Sequence, residues 1–159
     1  MKIFLYNCLV LILLPAMVVR IVFKSLKDKD YRLNFLHRFG IYNNIRSLEN
    51  PIWFHAVSLG EVISSKKIIN KIQKNNEIIL SVSTPTGLRE AKKIYGDKLV
   101  VIYSPWDFLI FINNFFKKFN PTALVIFETE IWPSMIHIAF KKNIPIVLSN
   151  ARLSESSFK

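Results

Sequence analysis

The chain has 159 residues and a formal net charge of +11, from 22 Lys and Arg against 11 Asp and Glu, with 51% hydrophobic residues and four glycines. That length suits one ordinary domain, the apolar content excludes a disordered chain, and the charge favours an anionic partner without choosing among phospholipid, nucleic acid and phosphorylated substrate. A single cysteine, Cys8, excludes an intramolecular disulfide and a multi-cysteine metal site, and no two of His37, His55 and His137 stand four apart as the helix of a zinc hydrolase requires.

Residues 3–19, IFLYNCLVLILLPAMVV, carry no charge, and the apolar run resumes after Arg20 through Ile21, Val22 and Phe23. This approaches the roughly 20 residues that cross a bilayer core. Only Lys2 precedes the run and no small-residue cleavage pattern follows it, so residues 1–23 read as an uncleaved membrane anchor rather than a secretory signal. Arg20, Lys24, Lys27, Lys29, Arg32 and Arg38 outnumber Asp28 and Asp30 on the far side, which by the positive-inside rule keeps the rest of the chain cytoplasmic. Pro15 kinks a spanning helix or ends a shallow one, so crossing and surface-lying anchors both stand open. Residues 24–50 form a basic juxtamembrane segment suited to anionic phospholipid headgroups.

From residue 51 the pattern alternates. Strands are expected at residues 52–57, 77–83, 99–103, 123–127 and 144–148, with helices over residues 61–74, from residues 84–87 through Tyr95, from the Ser104-Pro105-Trp106-Asp107 segment to Phe119, and over residues 133–142. Such alternation predicts an α/β fold with a parallel sheet covered on both faces. Basic residues fall in pairs, such as Lys66-Lys67 and Lys92-Lys93, which suit solvated helix faces; aromatic and basic residues do not interleave as nucleic-acid stacking requires. Ligands of an open parallel sheet bind beyond the carboxyl ends of its strands. Those ends carry Ser58-Leu59-Gly60-Glu61, Ser83-Thr84-Pro85-Thr86-Gly87, Ser104-Pro105-Trp106-Asp107, Glu128-Thr129-Glu130 and Ser149-Asn150-Ala151-Arg152, whereas the opposite edge is plain.

Glu61, at a helix start, is either a cap stabilised by the helix dipole or a general base; the dipole is expected to lower its pKa. Gly60 serves a sharp turn or close approach of a ligand to the backbone. Neither GxGxxG nor GxxxxGK[ST] is present. Thr84, Thr86 and Gly87 offer an anion hydroxyls and N–H groups, or simply cap and turn. Glu128 and Glu130 suit paired acid and base work or helix capping, and Arg152 suits a phosphate or a salt bridge to either of them. His55, inside a strand, reads as a hydrogen-bonded core residue before a catalyst.

Taken together, Trp53-Phe54-His55-Ala56-Val57-Ser58-Leu59-Gly60-Glu61-Val62, Ser83-Thr84-Pro85-Thr86-Gly87, Glu128-Thr129-Glu130-Ile131-Trp132-Pro133 and Asn150-Ala151-Arg152-Leu153-Ser154 with Ser157 closely resemble the motifs of the lipid A Kdo transferases, where Kdo is 3-deoxy-D-manno-octulosonic acid. The resemblance extends through the anchor and the Arg38-Phe39-Gly40 region. It implies a Rossmann-like domain over residues 51–159, the N-terminal half of a GT-B glycosyltransferase, with the C-terminal half absent from this chain; a fragment, a split reading frame with a separately encoded C-terminal half, and a truncated product all stand open. It implies CMP-Kdo as donor, a lipid A precursor (an acylated, phosphorylated glucosamine disaccharide) as acceptor, no metal or other cofactor, and work on the cytoplasmic face of the inner membrane in lipopolysaccharide synthesis. It makes Glu61 the catalytic base and gives Ser58, Gly60, Thr84, Thr86, Gly87, Glu128, Glu130, Asn150 and Arg152 to substrate binding. The alternative is a truncated, noncatalytic, membrane-anchored α/β protein that binds anionic lipid.

Overall fold

The computed structural model describes residues 2–151 of the chain. Five strands, β1 (Ile52–His55), β2 (Ile78–Val82), β3 (Val100–Tyr103), β4 (Ala123–Phe127) and β5 (Ile146–Ser149), form one sheet in the order β3-β2-β1-β4-β5. Every pairing is parallel, with Phe54 aligned to Leu80 on one side and Val125 on the other. Near-continuous apolar runs are what a sheet buried on both faces requires, and all five residues of β2 are buried. Successive side chains alternate between two cores. Trp53, Ile79, Ile102, Leu124 and Ile126 meet α5 (Leu109–Phe119) and α6 (Pro133–Lys141) on one face, with Trp53 stacked on Phe115 at 3.8 Å. Phe54, Leu80, Val82, Val125 and Phe127 meet α2 (Leu59–Ser64), α3 (Lys66–Ile72) and α4 (Pro85–Tyr95) on the other.

Three of the departures from the sequence expectation follow from specific contacts. The helix expected over residues 61–74 breaks at Ser65, because Ser64 bonds back to the Gly60 carbonyl and Ser65 Oγ donates to the Val62 carbonyl, competing with the helical ladder. The helix expected to open at residues 104–107 starts at Leu109, since the preceding loop is held elsewhere: the Trp106 N–H donates to the Arg38 carbonyl at 2.8 Å. The α/β unit also reaches back past residue 51. Tyr42 is buried against Phe115 and Phe119, and Ile45 and Leu48 pack on the same core, so this part of the basic segment is structural. Gly40 makes the turn into it: its φ is +72°, and a Cβ there would collide with the Phe111 carbonyl.

The apolar N-terminal run forms α1 (Lys2–Lys27), a 26-residue helix that continues through Pro15 and four residues beyond the expected anchor. Its burial is inverted. The only buried residues are Asn7 and Ser25, while Phe4, Ile12, Phe23 and Leu26 are among the exposed ones, Ile12 by 74%. Asn7 Nδ2 donates to Ser134 Oγ at 3.1 Å, its Oδ1 accepts from the Leu109 N–H at 2.8 Å, and Tyr6 donates to Asp107 Oδ2 at 2.8 Å. Asp107 also accepts from the N–H groups of Ser134 and Met135, so it caps α6. Met17, Arg20, Ile21 and Lys24, further along α1, face Ser83, Thr84, Trp106 and Trp132 across a cavity. A helix about 39 Å long thus lies along the carboxyl edge of the sheet, with its apolar face outward.

The docking rests on Asn7, which caps α5 from another element. Asn7→Leu removes that cap and strands the Leu109 N–H, an expected cost of about 1–3 kcal/mol. Ile12→Ala, on the exposed face, is expected to stay within about 0.5 kcal/mol of the parent. Urea titrations of both variants in nonionic detergent measure the difference, and equal midpoints would refute this docking.

Candidate functional site

The strand order doubles back at β1, so the crevice of a doubly wound sheet lies between β1 and its neighbour β4. The two acidic motifs follow these two strands. Ser58 caps α2, its Oγ accepting from the Glu61 N–H at 3.3 Å, and the Glu61 side chain returns to the loop, completing a capping box. Oε2 accepts from the Val57 N–H at 2.7 Å and Oε1 from the Ser58 N–H at 3.2 Å. Both oxygens are therefore aimed by the backbone at the carboxyl end of β1, and the residue is only 6% exposed.

The expected lowering of the Glu61 pKa is reversed. Burial pushes it up, the Ser58 and Val57 hydrogen bonds pull it down, and the nearby Glu130 and Glu128 charges push it up again, leaving it above the ordinary value. Desolvation, with the two neighbouring acids, outweighs the hydrogen bonds that favour the charged form. The expectation treated the site as a helix end in water, and the fold buries it beside two acids.

Glu128 sits in the left-handed region at φ 62°, with its N–H donating to the Ser149 carbonyl at 2.8 Å. Glu130 Oε2 accepts from Trp132 Nε1 at 3.1 Å, and the Trp132 ring lies edge-on to His55 at 4.7 Å. His55 is a core residue: fully buried, with Nδ1 2.8 Å from Ser81 Oγ, which also accepts from Trp53 Nε1 at 2.7 Å.

The second motif behaves differently. Thr84 caps α4 by accepting from the Gly87 N–H at 3.2 Å, and the exposed Thr86 donates to Thr84 at 3.4 Å. A Cβ on Gly87 would lie 3.3 Å from backbone atoms of Ser58 and Leu59, so this glycine lets α4 close on the loop that carries Glu61. Gly60 is the reverse. Its φ lies outside the left-handed region and a Cβ would meet only Ser58 Oγ at 3.8 Å, so the expected sharp turn makes no demand for glycine there. Asn150 is exposed at φ 58°, at the end of β5, the far edge of the sheet. Arg152, Leu153, Ser154 and Ser157 lie outside the described residues. Among the described residues, no three His, Cys, Asp or Glu side chains gather as a metal site.

The sequence reading gave no site role to Arg38 or Trp132. Arg38 is buried, with its guanidinium over the Tyr103 ring at 4.2 Å. Its signal was the Arg38-Phe39-Gly40 run, in which glycine fixes a left-handed turn beside a basic residue.

A doubly wound α/β sheet with the buried Glu61 carboxyl at its switch point is consistent with a Rossmann-like glycosyltransferase domain, with one apolar helix beside it. Residues 34–159 match the family described as 3-deoxy-D-manno-octulosonic-acid transferase (kdotransferase), and the chain belongs to that family. It is 36% identical over 159 residues to a 3-deoxy-D-manno-octulosonic acid transferase of Haemophilus influenzae, covering 97% of this chain and 37% of that protein. A probable mitochondrial 3-deoxy-D-manno-octulosonic acid transferase of Arabidopsis thaliana is 30% identical over 158 residues, covering 98% of this chain and 35% of that one. A bifunctional glycosyltransferase/methyltransferase of Fusobacterium nucleatum is 40% identical over 115 residues, covering 69% and 18%. The chain thus spans little more than a third of the length of these relatives at most.

Burial holds both described core histidines neutral. It lowers His55 from 6.5 to about 3 and, with the Lys92 and Arg38 charges, lowers His37 to about 4. A depressed folded-state pKa gives stability that is fully present above 6.5 and is lost as pH falls toward those values. At pH 5 each histidine is expected to cost about 2 kcal/mol. The raised Glu61 works in the opposite sense, its contribution being lost as pH rises. Urea midpoints at pH 7 and pH 5 should show His55→Gln losing about 2 kcal/mol less than the parent over that interval; equal losses would remove His55 from this account.

Proposed function

We propose that this chain is the acceptor-side part of an inverting Kdo transferase of the GT-B type, working on the cytoplasmic face of the inner membrane. Its donor is CMP-Kdo and its acceptor a lipid A precursor, as in the family's part in lipopolysaccharide synthesis. On this reading residues 1–23, with the rest of α1, attach the protein to inner-membrane phospholipid, the basic residues of 24–50 meet the headgroups, and residues 51–159 form the N-terminal glycosyltransferase domain. The donor side comes from a C-terminal half, as a continuous or a separately encoded partner. The observation that carries the reading is the buried Glu61 carboxylate, aimed by two backbone N–H groups at the end of β1 beside Glu128 and Glu130.

Each Glu61 oxygen accepts one backbone bond and keeps further acceptor capacity. Glu61 takes the proton of the acceptor hydroxyl as that oxygen attacks the anomeric carbon of Kdo. The carbon–oxygen bond to CMP breaks on the opposite face, and the phosphate leaves with the electron pair. A raised pKa makes Glu61 a stronger base than a solvated carboxylate. The two neighbouring acids have complementary work: Glu130, oriented by Trp132, and Glu128 bind sugar hydroxyls and keep the Glu61 proton affinity high. Ser58, Thr84, Thr86, Gly87, Asn150 and Arg152 complete the substrate-binding surface, and the open side of Gly60 admits the acceptor close to the backbone. No metal enters this scheme, since a phosphate leaving group needs little assistance once positioned.

The test is a chimera in which this chain replaces the matched stretch of the Haemophilus influenzae relative, assayed for Kdo transfer from CMP-Kdo. Glu61→Gln should lower turnover by roughly 10²- to 10⁴-fold. The amide offers one acceptor where the carboxylate offered two, so stability should also fall by about 1–2 kcal/mol. Lost stability with near-parent turnover in folded protein would make Glu61 a cap only. A chimera without transfer, yet with intact lipid binding, would favour the noncatalytic lipid-binding reading, which the outward apolar face of α1 supports.

Gly60→Ala separates site from scaffold. At the second position of α2 the added methyl is expected to leave stability unchanged or raise it by about 0.5–1 kcal/mol, while acceptor KM rises. An unchanged KM would free Gly60 of any ligand role.

A further inference from the structure

Between α1 and the carboxyl edge of β2 and β3 lies a cavity of about 240 Å³. Its cations are Arg20, Lys24 and Arg38, and no acidic side chain lines it. Among the described residues none of the three forms an ion pair. Arg38 is 3% exposed, yet only its Nη1 has a hydrogen-bond partner, the Ser83 carbonyl at 3.3 Å; Nε and Nη2 are buried without one. A buried guanidinium with two unsatisfied nitrogens is a costly arrangement that an anion would relieve. Burial lowers its pKa, and Tyr103 and Tyr31 partly offset this.

A second cavity, of about 340 Å³ and mainly apolar, adjoins the first: Met17, Trp106 and Trp132 line both, and Val10, Leu13 and Ile131 extend the second along α1. A cationic chamber joined to an apolar one, beside a helix whose free face is apolar, matches a phosphate head with an acyl chain attached.

We propose that these two cavities form a subsite for a phosphorylated, acylated lipid, with Arg38 the fixed fork for the phosphate, Arg20 and Lys24 the closing cations, and the Val10–Leu13–Ile131 chamber holding the start of a chain. This rests on the reading above that the acceptor is a phosphorylated glycolipid, and it assigns the acceptor's phosphate end to α1 and β2 while its reacting hydroxyl reaches β1. Buried Arg38 binds through geometry. The two exposed cations bind mainly through charge, and among the described residues neither is engaged in an ion pair.

The test uses the full chain and phosphatidylcholine vesicles containing either phosphatidic acid or phosphatidylglycerol at matched surface charge, with Trp106 and Trp132 fluorescence as a second readout. The parent should prefer phosphatidic acid. Arg20→Gln with Lys24→Gln, both at exposed helix positions, should weaken that binding by about fivefold per charge removed, whereas Lys66→Gln with Lys67→Gln on α3 should not. Arg38→Lys keeps the charge without the fork and should erase the preference between the two lipids; should that variant fail to fold, the α1 pair still decides. Equal binding of both lipids by the parent, or equal loss in the α3 control, would reduce the effect to diffuse attraction and overturn the subsite. Saturation of the fluorescence change by inorganic phosphate, with no response to phosphatidic acid, would assign the cavity to a free anion and overturn the lipid assignment. A chimera that transfers no Kdo while the phosphatidic acid preference persists would defeat the glycosyl-transfer reading alone.

Discussion

The arrangement of the carboxyl edge depends on one carboxylate held by two consecutive backbone amides. Glu61 reaches back to Val57 and Ser58 while Ser58 holds the Glu61 N–H, so strand end, turn and first helical turn form a closed ring of hydrogen bonds. That ring needs α4 at close range, which Gly87 allows, and a firm base beneath, which Trp53, His55 and Ser81 provide across the β1–β2 pair. The same bonds that make the loop rigid also decide which lone pairs remain for an incoming ligand. On the proposed function, the structural and chemical roles of Glu61 are two consequences of one geometry.

The other organising feature is the reversed polarity of α1. An ordinary surface helix buries its apolar stripe and wets its polar one; here Asn7 and Ser25 face the protein and the leucines face out. Polar docking is selective where apolar docking is not. If α1 lies against lipid, as proposed, a hydrogen bond to the Leu109 amide distinguishes one face and one position along the sheet edge, which a leucine face could not do. Asp107 is the shared node, taking bonds from α1 and from the start of α6 at once.

The parallel sheet and its two faces were legible because the strands are apolar runs and the helices are periodic, signals that survive without knowledge of neighbours. The position of the candidate site was legible for a topological reason: in such a sheet the loops that follow the strands share an edge whatever their sequences. What the sequence hid was set by long-range partners. The direction of the Glu61 shift depends on burial beneath other elements. The late start of α5 depends on Asn7, 102 residues before Leu109, and on Arg38, far before Trp106 in the chain, and no local window shows partners at such separations. The break at Ser65 was local, two adjacent serines bonding backward, and was there to be read.

The edge strand β5 carries a further consequence. Ile146, Val147 and Leu148 are 36%, 51% and 46% exposed, and among the described residues no strand pairs with its outer side. Most strands of parallel sheets are covered on both faces, and an apolar, unpaired edge is a template for another chain. Refolding of this polypeptide is therefore a contest between an intramolecular reaction, independent of concentration, and a second-order capture at β5. Yield of native protein should depend on dilution, and a lysine placed on the outward face of that strand would tilt the contest without touching the carboxyl edge.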